Sequence, residues 1–510
     1  MEHNSVLEIS DSGAWNGGKL IDNSFFENKG MFFKGNMPVN NKTIEERIGI
    51  TTRMAAPDNE SIGVSAMKNL LETTDINPDQ IRLIIGATNM GENKHDPGPV
   101  VRKPFELIKN DCPNAIALDL YAGCPGFNVS VELIFMLSLT GFLKKNDTSV
   151  VVGAENLHRG KAFKPLDTSN IIFGDDALAT SLKTKVSLKP SGDYTSYNTS
   201  VCACKNNFID RIAAAIFELN GNNRIDGIII DNQLGKLLYR IPASAARVQQ
   251  AWVELMFPEQ NSKGTFKKFN DAITFYNNHI NAFAFDIMTL AQTPETVKDI
   301  AKSYIQSGKF KTIVSVYLAP DFSADVVLHK GQNYVFTRPE KGIIDTLTRT
   351  HGCFATFIQA ISEDDNVYAE IDGKGVFLHA TRGAKKHLSD ILNANELTMN
   401  DIDLLIEHQA NFAMIPMTLE RVLGEKNQNI QNEVKAYIAN KMITNIHERG
   451  NCSVVCMQRL PYELKKGTLK DNVIQGYRVN QNINQLKNAK IILSDSVGSG
   501  MTRSSILQKK

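Results

Sequence analysis

Buried strand-like runs alternate with helical patterns along the first part of the chain. The segment "SIGVSAMKNLLETTDINPDQIRLIIGATN" (61–89) places apolar residues at helical spacing as far as Leu71, and "NPDQ" separates this helix from the strand-like run "IRLIIGAT". The pattern continues with the strands "AIALDLYAG" and "SVVVGAEN", a buried helix over 125–143 between them, and a strand in "IIFGDDALATSL". This alternation predicts a layered α/β fold with helices packed around sheets.

The C-terminal part of the chain repeats the pattern. "GAKKHLSDILNANELTMNDIDLLIEHQAN" predicts a helix, a strand and a polar loop, and "FAMIPMTLERVLG" predicts the next helix. "KNAKIILSDSVGSGMTRSSILQKK" predicts two strands around a glycine-rich turn. We therefore expect three segments: an N-terminal half (1–190), an inserted α/β segment (191–365) and a C-terminal half (366–510).

The inserted segment resembles the C-terminal half. "IDGIIIDNQLGKLLYRIPASAARV" (225–248) is similar to "IDLLIEHQANFAMIPMTLERV" (402–422), and "TIVSVYLAPDFSADVVLHK" (312–330) is similar to the final strands. Both pairs are separated by about 176–179 residues, which indicates a degenerate internal repeat. Chance similarity between two amphipathic α/β units is the alternative. Asn232 takes the place of His408, so we expect this copy to be structural and not catalytic.

Composition narrows the function classes. The chain has 56 lysines and arginines against 55 acidic residues, which argues against a general nucleic-acid or membrane-surface role. No apolar run approaches the roughly 18–20 residues that span a bilayer, and the polar N-terminus is unlike a signal peptide. Seven scattered cysteines indicate reduced thiols in a cytoplasm. We expect no metal site, because Cys202 and Cys204 form an isolated C-x-C.

Cys124 stands between a strand and a buried helix in "ALDLYAGCPGF" (117–127). Pro125 is favoured at the first position of a helix, so the thiol is predicted to face unpaired backbone N–H groups and the positive end of the helix dipole. Both favour the nucleophilic thiolate. A small buried cysteine considered alone is more often a packing residue.

Two further polar residues stand at similar corners. His408 and Asn411 of "EHQAN" follow a strand, at the edge where α/β active sites gather. Asn451 of "ERGNCSVV" (448–455) lies in a turn before another helix. Each residue alone has an ordinary structural interpretation. Together with Cys124 they form a candidate thiol–imidazole–amide site.

Seven motifs in order resemble the β-ketoacyl-acyl-carrier-protein synthase III group of the thiolase superfamily. The resemblance covers 45–185 and 370–507. It implies a five-layered α-β-α-β-α thiolase-like fold with an insertion at about 190–365, a homodimer, and a catalytic triad of Cys124, His408 and Asn451. The motifs are "RIGITTRMAAP", "DLYAGCPGF", "VVGAENLHRG", "IIFGDDALA", "IEHQAN", "RGNCSVV" and "LSDSVGSGMT".

The resemblance also implies a role for each residue. Cys124 would accept an acyl group from coenzyme A or an acyl carrier protein, and His408 and Asn451 would activate the second thioester and stabilise its enolate. The backbone N–H groups of Cys124 and Gly500 would form the oxyanion hole. Arg47, Arg159 and Asn411 would contact the coenzyme A or carrier-linked substrate, although solvation alone explains a surface arginine. No cofactor is implied beyond these thioester substrates.

Departures from the family motifs point away from the standard priming role in fatty acid biosynthesis. Phe412–Ala413 follows "HQAN" where an arginine is common, Arg503 replaces a tryptophan, and Asp176 replaces a glycine. With the insertion, these departures favour a condensing acyltransferase of secondary or polyketide metabolism. Ring closure to a resorcinol- or stilbene-type product, as in related ketosynthase/cyclases, is a further hypothesis.

Three alternatives remain. The first is an acyltransferase that uses the same triad to acylate an oxygen or nitrogen acceptor. A hydroxymethylglutaryl-type synthase would need a general-base glutamate near 86–92, where Glu92 is out of place. A non-catalytic scaffold for an active ketosynthase is disfavoured by the intact triad.

Overall fold

The computed structural model describes residues 5–57, 61–90, 100–158, 161–186, 190–234, 241–291, 293–363, 366–424 and 429–510. The predicted alternation of strands and helices is confirmed within them. The strands are β1 (Leu7–Ala14), β2 (Lys19–Asp22), β3 (Phe32–Phe33), β4 (Met37–Pro38), β5 (Thr52–Ala55), β6 (Ile81–Ala87), β7 (Ile116–Tyr121), β8 (Thr148–Glu155), β9 (Asp176–Thr184), β10 (Asp193–Val201), β11 (Gly227–Asn232), β12 (Phe283–Thr289), β13 (Thr312–Leu318), β14 (Ala324–Gln332), β15 (Gly342–Thr350), β16 (Ile358–Glu363), β17 (Asn366–Ile371), β18 (Leu404–Glu407), β19 (Asn472–Ile474), β20 (Tyr477–Val479), β21 (Ile491–Gly498) and β22 (Thr502–Lys509).

The helices are α1 (Asn41–Ile48), α2 (Ile62–Thr73), α3 (Arg102–Glu106), α4 (Gly126–Leu139), α5 (Ser169–Ile172), α6 (Phe208–Asn220), α7 (Ser244–Met256), α8 (Pro258–Ser262), α9 (Phe269–Phe275), α10 (Pro294–Gln306), α11 (Gly373–Ala394), α12 (Met414–Leu423), α13 (Ile430–Lys441), α14 (Ile446–Arg449), α15 (Cys456–Lys466) and α16 (Ile483–Asn488).

Two large sheets and three helical layers make up the fold. The first sheet has ten strands in the order β1-β9-β8-β6-β7-β12-β11-β13-β14-β10, and the second has four in the order β15-β22-β21-β18. Helices α4 and α15 contact both sheets and form the central layer. Helix α2 packs on the outer face of the ten-stranded sheet, and α11 packs on the four-stranded sheet. The predicted five-layered α-β-α-β-α arrangement is confirmed.

The central helix α4 holds the candidate nucleophile at its N-terminus. Every residue from Gly126 to Leu139 is buried, as expected for a helix that is apolar on all sides. Pro125 is the N-cap residue of this helix, so the helix begins at Gly126, one residue later than the sequence predicts. The Cys124 turn therefore lies between the two sheets.

The strand predicted at "IIFGDDALATSL" starts later than expected. Ile171 and Ile172 belong to the short helix α5, and β9 starts at Asp176. The reason is tertiary: the carbonyl of Ile172 accepts a hydrogen bond from the backbone N–H of Asn451, and Phe173 forms a β-bridge with the same residue.

The inserted segment supplies half of the ten-stranded sheet. Its strands β10 to β14 continue the sheet beyond β7, because β12 pairs antiparallel with β7. Strand β15, which the sequence analysis assigned to the same segment, instead pairs with β22 of the four-stranded sheet. The C-terminal sheet thus starts at Gly342. No helix in the described ranges has the length and apolarity needed to cross a membrane.

Candidate active site

Cys124 lies in a tight turn between β7 and α4. Gly123 adopts a positive φ of 72°, and a Cβ atom there would collide with the backbone of Ser499. A Cβ atom at Gly498 would likewise collide with the amide nitrogen of Cys124. Glycine is therefore required on both sides of this contact. The C-terminal glycine-rich turn is pressed directly against the nucleophile.

Ser453 connects Cys124 to Asn451. Its hydroxyl donates a hydrogen bond to the sulfur of Cys124 at 3.4 Å, and its backbone N–H donates to Oδ1 of Asn451 at 2.8 Å. Ser453 has a φ of 51°, which is uncommon for a residue other than glycine. Such strained residues concentrate at functional sites.

His408 joins the same network through Cys456. Its Nδ1 lies 2.9 Å from the sulfur of Cys456, and that sulfur donates to the carbonyl of Ser453 at 2.7 Å. The backbone N–H of His408 donates to the carbonyl of Asp495 at 2.8 Å, which fixes the residue at the end of β18. Cys124, His408 and Asn451 are thus each linked to Ser453, directly or through one sulfur.

Burial controls the protonation of these groups. Burial raises the pKa of Cys124 to about 12, the hydrogen bond from Ser453 opposes this rise, and the charge of Glu155 adds to it. Burial also lowers the pKa of His408 to about 4. Burial therefore opposes the thiolate stabilisation expected from the helix terminus, and it favours the neutral forms of the Cys124 thiol and the His408 imidazole.

Asn89 and Glu155 form a second line of contacts that the motifs did not indicate. The backbone N–H and side-chain amide of Asn89 both donate to Oε1 of Glu155 at 2.9 Å. The same amide donates to the hydroxyl of Ser453 at 2.6 Å. Burial raises the pKa of Glu155 to about 7. A buried acid at the end of a strand, in "VVGAEN", was the sequence signal for this contact.

The other predicted contact residues lie apart from this network. Arg47 is exposed, with its guanidinium 5.3 Å from the ring centre of Phe33. The side-chain oxygen of Asn411 accepts a hydrogen bond from the backbone N–H of Ala413 at 3.0 Å, in the turn before α12. Arg159, and Glu92 of the hydroxymethylglutaryl-type alternative, lie outside the described residues. These assignments stay predictions.

The predicted oxyanion partner Gly500 lies in the turn that faces Cys124. Its own φ is 76°, and a Cβ atom there would lie 3.3 Å from both the Cβ of Ala246 and the hydroxyl of Thr502. Its neighbours Gly498 and Ser499 make the close contacts with the Cys124 turn. The role of Gly500 stays a prediction.

Two departures from the family motifs occur in buried ion pairs. Asp176 accepts a hydrogen bond from Nε of Arg459 at 2.8 Å, and both side chains are buried. Arg503 donates through Nε to both carboxylate oxygens of Asp495, at 3.1 and 3.0 Å. In the third departure, Phe412 is buried against Gly49. These contacts lie within the fold, which gives the substitutions a structural reason.

Cysteine chemistry is limited to thiols in the described ranges. All seven cysteines are free. Within the same ranges no group of three or more His, Cys, Asp or Glu side chains is arranged to hold a metal ion. Cys202 and Cys204 are exposed.

Sequence comparison gives partial matches to one group of enzymes. No protein-family model matches the chain. It is 28% identical over 211 residues to β-ketoacyl-(acyl-carrier-protein) synthase III of Ehrlichia chaffeensis, covering 38% of this chain and 62% of the relative. It is 27% identical over 221 residues to synthase III 1 of Bacteroides thetaiotaomicron, covering 38% and 61%. The chain thus matches less than two thirds of either relative.

Solved structures agree over nearly the whole chain. The 3-oxoacyl-(acyl-carrier-protein) synthase III of Aquifex aeolicus aligns with a TM-score of 0.52 and 16% identity, covering 99% of this chain and all of that one. The chain therefore shares the fold of this synthase. OleA of Xanthomonas campestris aligns with a TM-score of 0.51 and 11% identity, covering 99% and 98%. At such identities these structures show the fold.

Proposed function

We propose that the chain is a condensing enzyme that transfers an acyl group to Cys124 and then forms a carbon–carbon bond with a second acyl thioester. The hydrogen-bonded group of Cys124, Ser453, Asn451, Cys456 and His408 is the observation that carries this proposal. Its contacts run from the Cys124 thiol through Ser453 to the amide of Asn451, and from Ser453 through Cys456 to the imidazole of His408. The sequence similarity to synthase III supports the same chemistry.

In the first step, the sulfur of Cys124 attacks the carbonyl carbon of an acyl thioester. A carbon–sulfur bond forms to Cys124, the bond to the carrier sulfur breaks, and the thiol proton passes to the departing carrier thiol. The hydroxyl of Ser453 already donates to the sulfur, which stabilises the thiolate as the proton leaves. Backbone N–H groups at the Cys124 turn, with Gly500 as the proposed second donor, would stabilise the developing oxyanion.

In the second step, a malonyl or β-ketoacyl thioester supplies the carbon nucleophile. A malonyl extender loses carbon dioxide, and its enolate attacks the acyl group on Cys124, whose sulfur departs. We assign His408 and Asn451 to the enolate oxygen. The burial that keeps the imidazole of His408 neutral suits an uncharged hydrogen-bond donor. The tautomer with Nε2 protonated donates without charge, and its Nδ1 then accepts from the thiol of Cys456 in place of that thiol's contact with Ser453.

Intact-protein mass spectrometry tests the proposal. The protein is incubated with a panel of coenzyme A and carrier-linked acyl thioesters, and wild type is expected to gain the acyl mass. A carboxyl-labelled malonyl thioester is then added, and condensation releases labelled carbon dioxide. Acyl loss to an oxygen or nitrogen acceptor without carbon dioxide would instead establish the acyltransferase alternative. A chain that takes no acyl group from any thioester would refute the proposal.

Ring formation in secondary metabolism is the finer form of this proposal. Its support is the insertion, together with the fold shared with a priming ketosynthase of a polyketide pathway (TM-score 0.50, 14% identity). The test uses medium-chain β-ketoacyl and α,β-unsaturated acyl thioesters as paired substrates. A cyclic product supports ring closure, and exclusively linear products exclude it.

A further inference from the structure

The ten-stranded sheet consists of two five-stranded halves with the same topology. The first half has the order β1-β9-β8-β6-β7, and the second, read from its other end, has the order β10-β14-β13-β11-β12. Strands that occupy equal positions also follow one another in the same order along the chain. The two halves meet where β7 pairs antiparallel with β12. An antiparallel junction between equal halves is the arrangement that a two-fold axis generates.

The register at the junction supports this symmetry. Tyr121 pairs with Asp286, and Asp119 pairs with Met288, so a two-fold axis exchanges Asp119 with Asp286. Both aspartates are buried, and each accepts hydrogen bonds from two backbone N–H groups near the start of a helix. Asp119 accepts hydrogen bonds from the backbone N–H groups of Val100 (2.7 Å) and Val101 (2.9 Å), which precede α3.

Asp286 makes the equivalent contacts in the second half. It accepts hydrogen bonds from the backbone N–H groups of Ser244 and Ala245, both at 2.8 Å, at the start of α7. The helices of the two halves also correspond. Helix α10 follows β12 as α4 follows β7, and α4 and α10 contact each other on one face of the sheet.

The second half lacks the candidate chemistry of the first. Thr293 precedes Pro294 at the start of α10, as Cys124 precedes Pro125 at the start of α4. Asp231 pairs with Ile287 as Ala87 pairs with Leu120. That register sets Gln233 in the place of Asn89, so strand pairing aligns this segment with the N-terminal half and not with the C-terminal half that its sequence resembles.

We propose that residues 193–332 are a second copy of the N-terminal half that has lost the nucleophile. This copy is a built-in partner of the first, because it takes the place that the same half of a second chain would take in a dimer. Ile241 and Ala246, in its connection into α7, form part of the wall around the Cys124 site. The part concerning the wall rests on the proposed acyl-transfer function. The family resemblance implies a homodimer. A second chain cannot pair with the edge of β7, because β12 of the same chain already pairs with it.

Contacts of the second copy support the wall. Ile241 is buried in a cluster with Met90, Leu157 and Phe163. Met90 follows Asn89, which donates to Ser453. The carbonyl of Ile241 accepts a hydrogen bond from Ala360 of the β16–β17 hairpin at 2.7 Å.

Ala246 approaches the other side of the site. A Cβ atom at Gly500 would lie 3.3 Å from the Cβ of Ala246, so this alanine packs against the glycine-rich turn that faces Cys124. The second copy therefore contacts both the Asn89 side and the Gly500 side of the site. An acyl chain attached to Cys124 would extend towards these apolar side chains.

Chain-length preference tests the wall. Ile241→Ala is expected to raise the rate of Cys124 acylation by a long-chain thioester relative to acetyl thioester at least about fivefold, and Ile241→Trp is expected to lower that ratio. Leu255→Trp is the matched control, because Leu255 is exposed on α7. Alkylation by iodoacetamide reports in parallel that Cys124 is intact. Folded Ile241 variants with the ratio of the control would refute the wall, whereas a wild-type chain that no thioester acylates would refute the proposed function.

Dilution tests the built-in partner. Cys124 alkylation per chain is measured from nanomolar to micromolar protein, with mass from light scattering. We expect the mass of one chain, 56.5 kDa, and a constant rate. A dimer with a constant rate also supports a site completed within one chain. A dimer whose rate of Cys124 alkylation changes on dissociation would refute the proposal.

Discussion

The hydroxyl of Ser453 lies 3.4 Å from the sulfur of Cys124, although 329 residues separate the two in the chain. Asn89 donates to the same hydroxyl oxygen at 2.6 Å. Because a serine hydroxyl has a single hydrogen, this second contact leaves that hydrogen for the sulfur of Cys124 or for the carboxylate of Glu155, whose pKa the Ser453 hydroxyl lowers. Glu155 in turn holds the amide of Asn89. Ser453 is thus available as a donor to the nucleophile.

Ser453→Ala is expected to slow Cys124 alkylation by iodoacetamide about tenfold at pH 8. A hydrogen bond to a charged group contributes about 1.5–3 kcal/mol, and its loss raises the pKa of the thiol. The measurement is mass-resolved alkylation of Cys124 over a pH series. Ser499→Ala is the control, because the hydroxyl of Ser499 donates to the carbonyl of Ile358 at 3.5 Å and not to the sulfur. Equal rates in both variants would contradict the donor role.

Glu155→Gln is expected to change the pH dependence of stability. Burial raises the pKa of Glu155 from 4.5 to about 7. The contribution of this group is therefore fully present below pH 4.5 and is lost as the pH rises through about 7. A shift of this size corresponds to a loss on the order of 3 kcal/mol in wild type that the amide variant avoids.

Urea unfolding at pH 4.5 and pH 8 measures this difference. Glu407→Gln is the matched control, since burial raises the pKa of Glu407 to about 8 while its side chain lies outside the Ser453 contacts. Glu407→Gln is also expected to avoid a loss of stability that wild type shows, and this loss develops up to about pH 8. Identical pH dependence in wild type and Glu155→Gln would contradict the raised pKa.

Cys124→Ala is expected to fold and to form no acyl adduct. The side chain is half-buried, and alanine removes the sulfur that the proposed chemistry acylates. Circular dichroism checks the fold, and intact mass after thioester incubation checks acylation. Cys456→Ala serves as the comparison for a buried thiol next to His408. An adduct that persists in Cys124→Ala would identify another nucleophile.

His408→Ala is expected to retain acylation of Cys124 better than condensation. We assign the imidazole to the enolate of the second thioester, so its removal acts mainly on the second step. Single-turnover acylation and product formation are measured separately on the same variant. Equal loss of both steps would count against this assignment.

Asp176→Ala is expected to destabilise the fold by about 3–5 kcal/mol, because it leaves the buried guanidinium of Arg459 without its carboxylate. Both side chains are almost completely buried, with exposed fractions of 0% and 1%. Urea unfolding measures the effect. The double variant Asp176→Leu with Arg459→Leu is expected to lose less, since it removes both charges. A single variant within about 1 kcal/mol of wild type would contradict a structural role for the pair.

Local patterns in the sequence were sufficient for the elements and for the positions of the three candidate residues. The apolar run after Cys124 predicted a helix buried on all sides, and α4 is one. The strand before His408 and the turn at Asn451 were also predicted correctly. Periodicity predicts these elements because the apolar residues that a strand or helix buries recur at the spacing of that element, and this spacing is visible in a short stretch of sequence.

The tertiary structure decided which elements meet. No local pattern shows that β12 pairs with β7, that Ser453 donates to Cys124, or that Asn89 and Glu155 hold Ser453 in place. The sequence analysis interpreted Asp176 and Arg503 as departures that change the metabolic role, whereas their side chains form ion pairs buried within the fold. These relationships depend on partners hundreds of residues away, because strand pairing and buried hydrogen bonds are satisfied only once the whole sheet has assembled.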